Sequence, residues 1–237
     1  MSGFTIEALG DEALLVRLGE TIDTAVNTRV HAAAAALAAA NLPGVRDVAP
    51  AYASVCLRYD PTAWAAPGQM PFDALRVRLD RVLRGATIPL QTALDSDTAP
   101  VVEIPVCYGG EFGPDLDFVA AHAGLPAADV IAAHAAGDYH VAMLGFAPGF
   151  AYLLGLDERL HTPRRAQPRT RVPAGSVAIG GAQTGIYPRE LPGGWQIIGR
   201  TNATLFDATR APAALLAPGL RVRFRPVDAA EFARSAR

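Results

Sequence analysis

The chain has 237 residues, of which 51% are hydrophobic and 19% are charged, and its formal net charge at pH 7 is −2. This composition is typical of a compact protein with one large or two small domains, and it gives no indication of nucleic acid or an anionic membrane as a partner. All 21 basic residues are arginine. A phosphate-binding loop with a lysine, a Schiff-base lysine and a lysine general base are therefore excluded.

The amino terminus carries acidic residues early and lacks a long apolar stretch, so it does not resemble a signal peptide. The alanine-rich run at 32–40 is too short to span a bilayer. We therefore expect a cytoplasmic protein without a membrane partner. Cys56 and Cys107 lie in apolar, strand-like runs, and we expect them to be small buried side chains rather than a disulfide or a reactive thiol.

Residues 1–90 predict an α+β domain with the element order ββαββα. Alternating apolar and polar residues indicate four strands, at 4–9, 14–18, 45–49 and 55–59. A helix capped by Asp23 or the next residue is expected to reach about Asn41, and a second helix is expected at 71–84. Helices on one face of such a sheet make a sandwich-like α/β domain. The short polar segment 91–100, which ends in proline, is the predicted linker.

Residues 101–237 predict a second, β-rich domain. It begins with a strand at 101–108, followed by two short helices that each end before a glycine. His122 and His134 lie in the last turns of these helices, where the helix dipole favours a protonated imidazole. No histidine or carboxylate pair has the spacing of a metal site. Beyond the helices, short strands separated by glycine and proline turns favour a small barrel or sandwich, with the clearest strands at 176–180, 184–187, 195–199 and 220–225.

A loop rich in arginine and proline is a candidate for anion binding. It contains Arg164, Arg165 and Arg169 among prolines, which hold a chain extended. Arginines held in this way would bind a carboxylate or a phosphate at little ordering cost. The alternative is an ordinary solvated surface loop. Arg200, later in the chain, is a further candidate anion ligand.

Polar residues after the glycine pair at 180–181 are candidates for a ligand pocket. Glycine allows a ligand to approach the backbone, and Gln183, Thr184 and Tyr187 would then orient it. The alternative is turn glycines followed by an ordinary barrel strand. His161, beside the arginine-rich loop, is a candidate general base because its charge changes near neutral pH, and an ordinary loop histidine is the alternative.

Three aromatic residues in turn-rich segments, Phe146, Phe150 and Trp195, are candidates for a pocket wall or a contact between subunits, with ordinary barrel core as the alternative. No Ser–His–Asp arrangement is evident, and neither cysteine is expected to have a positive group that would make it reactive. A complete active site cannot be assembled from this chain, so any catalysis would need groups from another chain.

Four sequence blocks resemble the signature blocks of one bacterial family. They are GFAPGFAYLLGL, TPRRAQPRTRVPAGSVAIGG, QTGIYP and PGGWQIIGRT. Their fixed order across about sixty residues is far more specific than a single glycine motif. The family contains the B subunit of ATP-dependent 5-oxoprolinase, the sporulation kinase inhibitor KipI, and proteins labelled allophanate hydrolase subunit 1.

The resemblance implies a cyclophilin-like β-barrel for residues 101–237. It also implies membership of a complex that uses ATP to convert 5-oxo-L-proline to L-glutamate, with the A and C subunits as partners and with no activity expected of this chain alone. In that context the arginines named above would bind anions, and the C subunit would supply the missing catalytic groups. The alternatives are an inhibitor of a sensor histidine kinase and a component of a urea or allophanate amidohydrolase system.

Overall fold

The chain divides into two compact units, Met1–Asp97 and Thr98–Arg237. The computed structural model describes residues 3–86 and 101–235. The predicted linker at 91–100 lies outside the described residues, as does the short segment 87–90 before it. Each unit has a hydrophobic core of its own.

The first unit is a four-stranded antiparallel sheet with two helices, as the sequence predicts. Its strands pair in the order β1-β2-β4-β3. The strands are β1 Thr5–Ala8, β2 Ala13–Arg17, β3 Val45–Pro50 and β4 Ser54–Tyr59, and the helices are α1 Thr24–Ala39 and α2 Pro71–Gly85. Alternate residues of β2 and β4 are buried and pack with the apolar stripes of both helices in one core, which is the pattern of a sheet covered on one face.

Local signals set the ends of α1. The Asp23 carboxylate accepts a hydrogen bond of 2.8 Å from the Val26 backbone N–H, and this satisfies a donor that the first helical turn leaves free. The helix ends at Ala39, two residues before the predicted position. Asn41 then has a φ of 43°, which lies in the left-handed region that terminates helices and that asparagine tolerates better than most residues.

The second unit contains nine strands and three helices in its described part. They are β5 Val101–Tyr108, α3 Leu116–Ala123, α4 Ala127–Ala136, β6 Tyr139–Leu144, β7 Ala151–Leu154, β8 Arg169–Val172, β9 Ser176–Gly180, β10 Gln183–Ile186, β11 Leu191–Gly193, β12 Gln196–Arg200, β13 Arg221–Pro226 and α5 Ala229–Ser235. Seven strands close a barrel in the order β10-β7-β6-β13-β5-β12-β9, and β8 pairs with β11 in a separate ribbon. The structure thus resolves the predicted choice between barrel and sandwich in favour of the barrel.

No single helix in the described part of the chain is both long enough and apolar enough to cross a membrane. The pair α3 and α4 meets those criteria only when the two are joined, and they bend by 90° at the break between them. Val119 and Val130 of this pair are completely buried in the barrel unit's core. Core helices of this kind commonly pass the same test, so it is weak evidence for a membrane span.

His134 corrects one prediction made from the sequence. Instead of a protonated imidazole at a helix end, it is a neutral core residue with no exposed surface, stacked on Phe224. The Thr184 hydroxyl donates to the Ala178 carbonyl at 3.1 Å, so its oxygen accepts from Nε2–H of His134 at 3.0 Å. The other ring nitrogen then accepts from the Tyr108 hydroxyl at 2.8 Å. Burial lowers the pKa of His134 to about 3, which outweighs the helix dipole.

Stability of the barrel unit should therefore fall in mild acid. The unfolded chain binds a proton at His134 below its ordinary pKa of 6.5, whereas the folded chain does so only near a pKa of about 3. Between these values protons favour the unfolded state. On going from about pH 7 to about pH 5, titration of His134 should lower the free energy of unfolding of the barrel unit by about 2 kcal/mol. Denaturant unfolding followed by Trp195 fluorescence in a Trp64→Phe background measures this loss.

His134→Gln should be less stable at neutral pH but should lose much of this pH dependence, because glutamine does not titrate. His122→Gln is the matched control, since His122 also lies in the last turn of a helix before a glycine but is exposed. An equal acid-induced loss in the wild type and in His134→Gln would contradict the explanation.

Candidate functional site

The arginine loop, defined here as residues 163–172, lies across the beginning of β12. The Arg165 backbone N–H donates to the Gly194 carbonyl at 2.7 Å, and the Gln196 side-chain amide donates to the Pro163 carbonyl at 2.9 Å. The carboxyl end of the loop is β8, which pairs with β11. Backbone and side-chain bonds at both ends therefore fix the loop against the barrel, and the loop is more ordered than a freely solvated one.

A buried carboxylate fastens the middle of this loop. Asp115 precedes α3, but its carboxylate does not cap that helix. It accepts two hydrogen bonds of 2.8 Å from Arg169, one of 3.1 Å from Arg165 and one of 2.7 Å from the Ile197 backbone N–H. Charge-assisted bonds to a carboxylate that is 5% exposed are strong and directional. Asp115 therefore joins the loop, α3 and β12.

A cavity of about 330 Å³ lies between the arginine loop and the barrel. Its lining is mainly aromatic residues, glycine, proline and two arginines. The lining residues are Phe146, Phe150, Tyr152, Arg164, Arg165, Pro168, Tyr187, Pro192, Gly193, Gly194 and Trp195. The volume is at the lower end of the range found for small-molecule sites, about 300–1,000 Å³.

The aromatic wall of the cavity depends on glycines behind it. Phe150 contacts Tyr187 and Trp195 edge to face, with ring centroids 5.3 and 5.7 Å apart. A Cβ on Gly180 would lie 2.5 Å from the Trp195 indole, and one on Gly185 would lie 3.2 Å from the same ring. The first distance is too short for a side chain and the second is tighter than most side-chain contacts, so the indole lies close against bare backbone. The wall is a packed surface.

Phe146 lies at the mouth of the cavity in a strained conformation. Its φ is 67°, a value that side chains other than glycine adopt rarely, and its ring is 59% exposed. The ring meets Phe150 edge to face at 5.4 Å. Strain of this kind tends to be kept where a side chain must be presented in a set direction.

Arg164 differs from the other two arginines of the loop. Its guanidinium lies 5.8 Å from the centroid of the Trp195 ring, within reach of a cation–π interaction. Among the described residues no acidic side chain lies within ion-pair distance of it, whereas Arg165 and Arg169 share Asp115. Arg164 therefore brings a positive charge to the cavity that no carboxylate of the described chain neutralises.

The cavity offers no evident acid or base at neutral pH. Burial raises the pKa of Tyr187 above its ordinary value, and burial likewise raises the pKa of Tyr152. Arg164 opposes both shifts to a lesser degree. Both phenols therefore stay protonated and act as hydrogen-bonding groups. None of the residues described around the cavity carries a carboxylate, an imidazole or a thiol.

The structure places six of the sequence candidates around this one cavity and the others elsewhere. Arg164, Arg165, Tyr187, Phe146, Phe150 and Trp195 line it, and Arg169 adjoins it through Asp115. Thr184 has no exposed surface and is bonded to His134 in the barrel core, so it does not line the cavity. Its position corrects the prediction that it faces a ligand, because alternate residues of a strand point to opposite sides.

Three further candidates also lie away from the cavity lining. Gln183 is half-buried at the start of β10, and His161 follows a short 3₁₀ turn. Arg200 lies at the far end of β12, with its guanidinium 5.6 Å from the Phe112 ring centroid. Their predicted roles in binding and catalysis remain predictions. In residues 3–86 and 101–235, no group of three potential metal ligands is close enough to hold an ion.

Sequence reasoning missed Tyr152 in the cavity lining, and it also missed Asp115. Asp115 stands 50 and 54 positions before its two arginine partners, and in sequence it resembles an ordinary helix cap. No local signal distinguishes it from Asp117, the acidic residue two positions later in the first turn of α3.

Replacing Asp115 by asparagine should destabilise the barrel unit by about 2 kcal/mol, because both arginines would lose their buried counter-charge while keeping some contact with water. The free energy of unfolding from denaturant titration measures this. Glu190→Gln is the control, since Glu190 pairs with Arg171 at 3.6 Å on the surface, and its removal should change stability by less than about 0.5 kcal/mol. Equal effects of the two substitutions would show that Asp115 does not fasten the loop.

Comparison with known proteins identifies the family. The family model described as "Carboxyltransferase domain, subdomain C and D" matches residues 4–216. The B subunit of 5-oxoprolinase from Bacillus subtilis (strain 168) is 40% identical over 237 aligned residues, which cover 97% of this chain and 95% of that protein.

Solved structures agree with this assignment. The crystal structure of TTHA0988 is 40% identical and superimposes with a TM-score of 0.76 over 91% of this chain, and the chain spans 40% of the length of that protein. The urea carboxylase of Kluyveromyces lactis is 22% identical, with a TM-score of 0.75, over 98% of this chain and 22% of that one; it shares the fold. These matches confirm the resemblance of the four sequence blocks, and the chain belongs to the carboxyltransferase domain, subdomain C and D family.

Proposed function

We propose that this chain is the B subunit of an ATP-dependent 5-oxoprolinase, which converts 5-oxo-L-proline to L-glutamate together with A and C subunits. The observation that carries the proposal is the 40% identity to the B subunit of a 5-oxoprolinase over 97% of this chain and 95% of that relative. A match over nearly both full lengths supports a shared role better than a match to the barrel alone would. A cytoplasmic location is part of the proposal.

The proposed reaction needs groups that the cavity lacks. Phosphoryl transfer from ATP to the lactam oxygen would make the ring carbon electrophilic. One water would then open the ring at the C–N bond, and a second would hydrolyse the resulting acyl phosphate to glutamate and phosphate. These steps call for a base for water and for cations around the phosphates. The cavity contributes binding groups and no base, so the proposal assigns the missing groups to a partner protein and expects the isolated chain to be inactive.

Absence of lysine also limits what this chain can do for ATP. A triphosphate is usually held by a lysine, a metal ion and successive backbone N–H groups. All 21 basic residues here are arginine, and the unpaired guanidinium of Arg164 is a single charge. ATP hydrolysis is therefore proposed as an activity of the assembled complex.

Reconstitution tests the proposal. Purified together, this chain and its A and C partners should release phosphate from ATP and form glutamate in proportion, and both should depend on 5-oxo-L-proline. Omission of this chain should reduce the rate to the background of the other two proteins. Phosphate release and glutamate are measured in parallel.

A complex that hydrolyses ATP equally well without 5-oxo-L-proline, or that forms no glutamate, would contradict the assignment. Inhibition of a sensor histidine kinase by the purified chain, with no activity in the reconstituted complex, would favour the kinase-inhibitor alternative. The urea-related alternative predicts instead that urea or allophanate supports turnover.

A further inference from the structure

We infer that the cavity beneath the arginine loop binds the small carboxylate substrate and not the nucleotide, with Arg164 as the carboxylate ligand and the Trp195 indole as the surface for the ring. The inference rests on the proposed function for the identity of the ligand, 5-oxo-L-proline. The chemical class of the ligand does not depend on that function, because the inference assigns the cavity to a singly charged ring acid of any kind.

The distribution of charge supports a single anionic group. Asp115 binds Arg169 through both terminal nitrogens at 2.8 Å and also binds Arg165 at 3.1 Å. These two guanidinium groups are therefore oriented toward a carboxylate of the chain itself. Arg164 is the loop arginine that the described chain leaves unpaired, and it lines the cavity. One free guanidinium can bind one carboxylate through two parallel hydrogen bonds.

The size and chemistry of the lining argue against a nucleoside triphosphate as the natural occupant. The cavity measures about 330 Å³, near the lower limit for small-molecule sites. Apart from two arginines and two tyrosines, its lining is apolar or glycine. A triphosphate would need several more cationic or backbone donors, which usually come from a glycine-rich loop at a helix N-terminus. The lining residues belong to strands and loops of the barrel unit.

The aromatic wall suits a flat ring. Trp195 is 5% exposed, rests against Gly180 and Gly185, and is bordered by Phe150 and Tyr152. Its ring is thereby held in place before a ligand arrives, so binding loses little side-chain entropy. A planar lactam can lie against the exposed edge of the indole while its carboxylate reaches Arg164, which lies 5.8 Å from the centroid of that ring.

Fluorescence of Trp195 provides a direct test. The chain has two tryptophans, and Trp64 lies in the other unit, so in the full-length Trp64→Phe chain Trp195 is the sole reporter. Titration with 5-oxo-L-proline should give a saturable change in emission. Pyrrolidin-2-one, which has the same ring without the carboxylate, should bind at least about tenfold more weakly. ATP should neither change the signal nor displace 5-oxo-L-proline.

Matched variants locate the carboxylate. Arg164→Gln should weaken 5-oxo-L-proline binding about tenfold or more but should leave pyrrolidin-2-one binding unchanged, because only the former carries the charge. Arg171→Gln is the control: it removes the same charge from the same loop, at a position that does not line the cavity, and it should shift the dissociation constant less than about twofold. Thermal unfolding of each variant checks that the fold is intact.

Several outcomes would overturn the inference. They are equal binding of the two ring compounds, displacement by ATP, an equal effect of Arg164→Gln and Arg171→Gln, and no saturable signal up to the concentration that half-saturates the reconstituted complex. If one of these results is obtained while the reconstituted complex is active, the assignment of the ligand to this cavity is wrong and the proposed function is retained. If another ring carboxylate binds more tightly than 5-oxo-L-proline and the reconstituted complex lacks 5-oxoprolinase activity, the proposed function is wrong and the assignment of the cavity to a ring acid is retained.

Discussion

The site depends on one buried carboxylate and the two arginines that it holds. Asp115 accepts hydrogen bonds from Arg165, Arg169 and the backbone of β12, and these bonds fix the arginine loop over the barrel. Without them two guanidinium groups would lie near each other with no counter-charge, and the middle of the loop would lose its side-chain attachment to the barrel. The position of Arg164 over Trp195 follows from this attachment, because Arg164 is the direct neighbour of Arg165.

Two kinds of residue, glycine and aromatic, form the apolar surface of the cavity. Glycines remove side chains where the Trp195 indole must lie against the backbone, and the aromatic rings fill the space in front of them. The arginine loop adds one unneutralised charge to this apolar surface. Such a combination favours small molecules with a flat apolar part and one anionic group, and it leaves acid–base chemistry to residues outside the cavity. The geometry of the cavity therefore supports the proposed binding role.

Local sequence patterns predicted the elements of the first unit and the β-rich character of the second, because strand alternation and glycine turns are properties of short segments. The choice of a barrel over a sandwich came from the family resemblance. Local patterns also singled out Arg164, Arg165, Tyr187 and Trp195 as separate candidates, and the structure brings these four together around one cavity. They could not identify Asp115, whose partners are 50 and 54 residues away, since contacts across a closed barrel depend on strand order and register. His134 was misjudged for the same reason: its helix position was clear, but its burial against Phe224 depends on a strand near the end of the chain.

The most direct measurement of the central claim is a crystal structure of the full chain grown with saturating 5-oxo-L-proline. The account predicts ligand density in the cavity, with the carboxylate within hydrogen-bond distance of Arg164, the lactam ring against the Trp195 indole, and Arg165 and Arg169 still bound to Asp115. A ligand whose carboxylate displaces Asp115 from those two arginines would contradict the account, and so would an empty cavity with the ligand bound at another place on the chain.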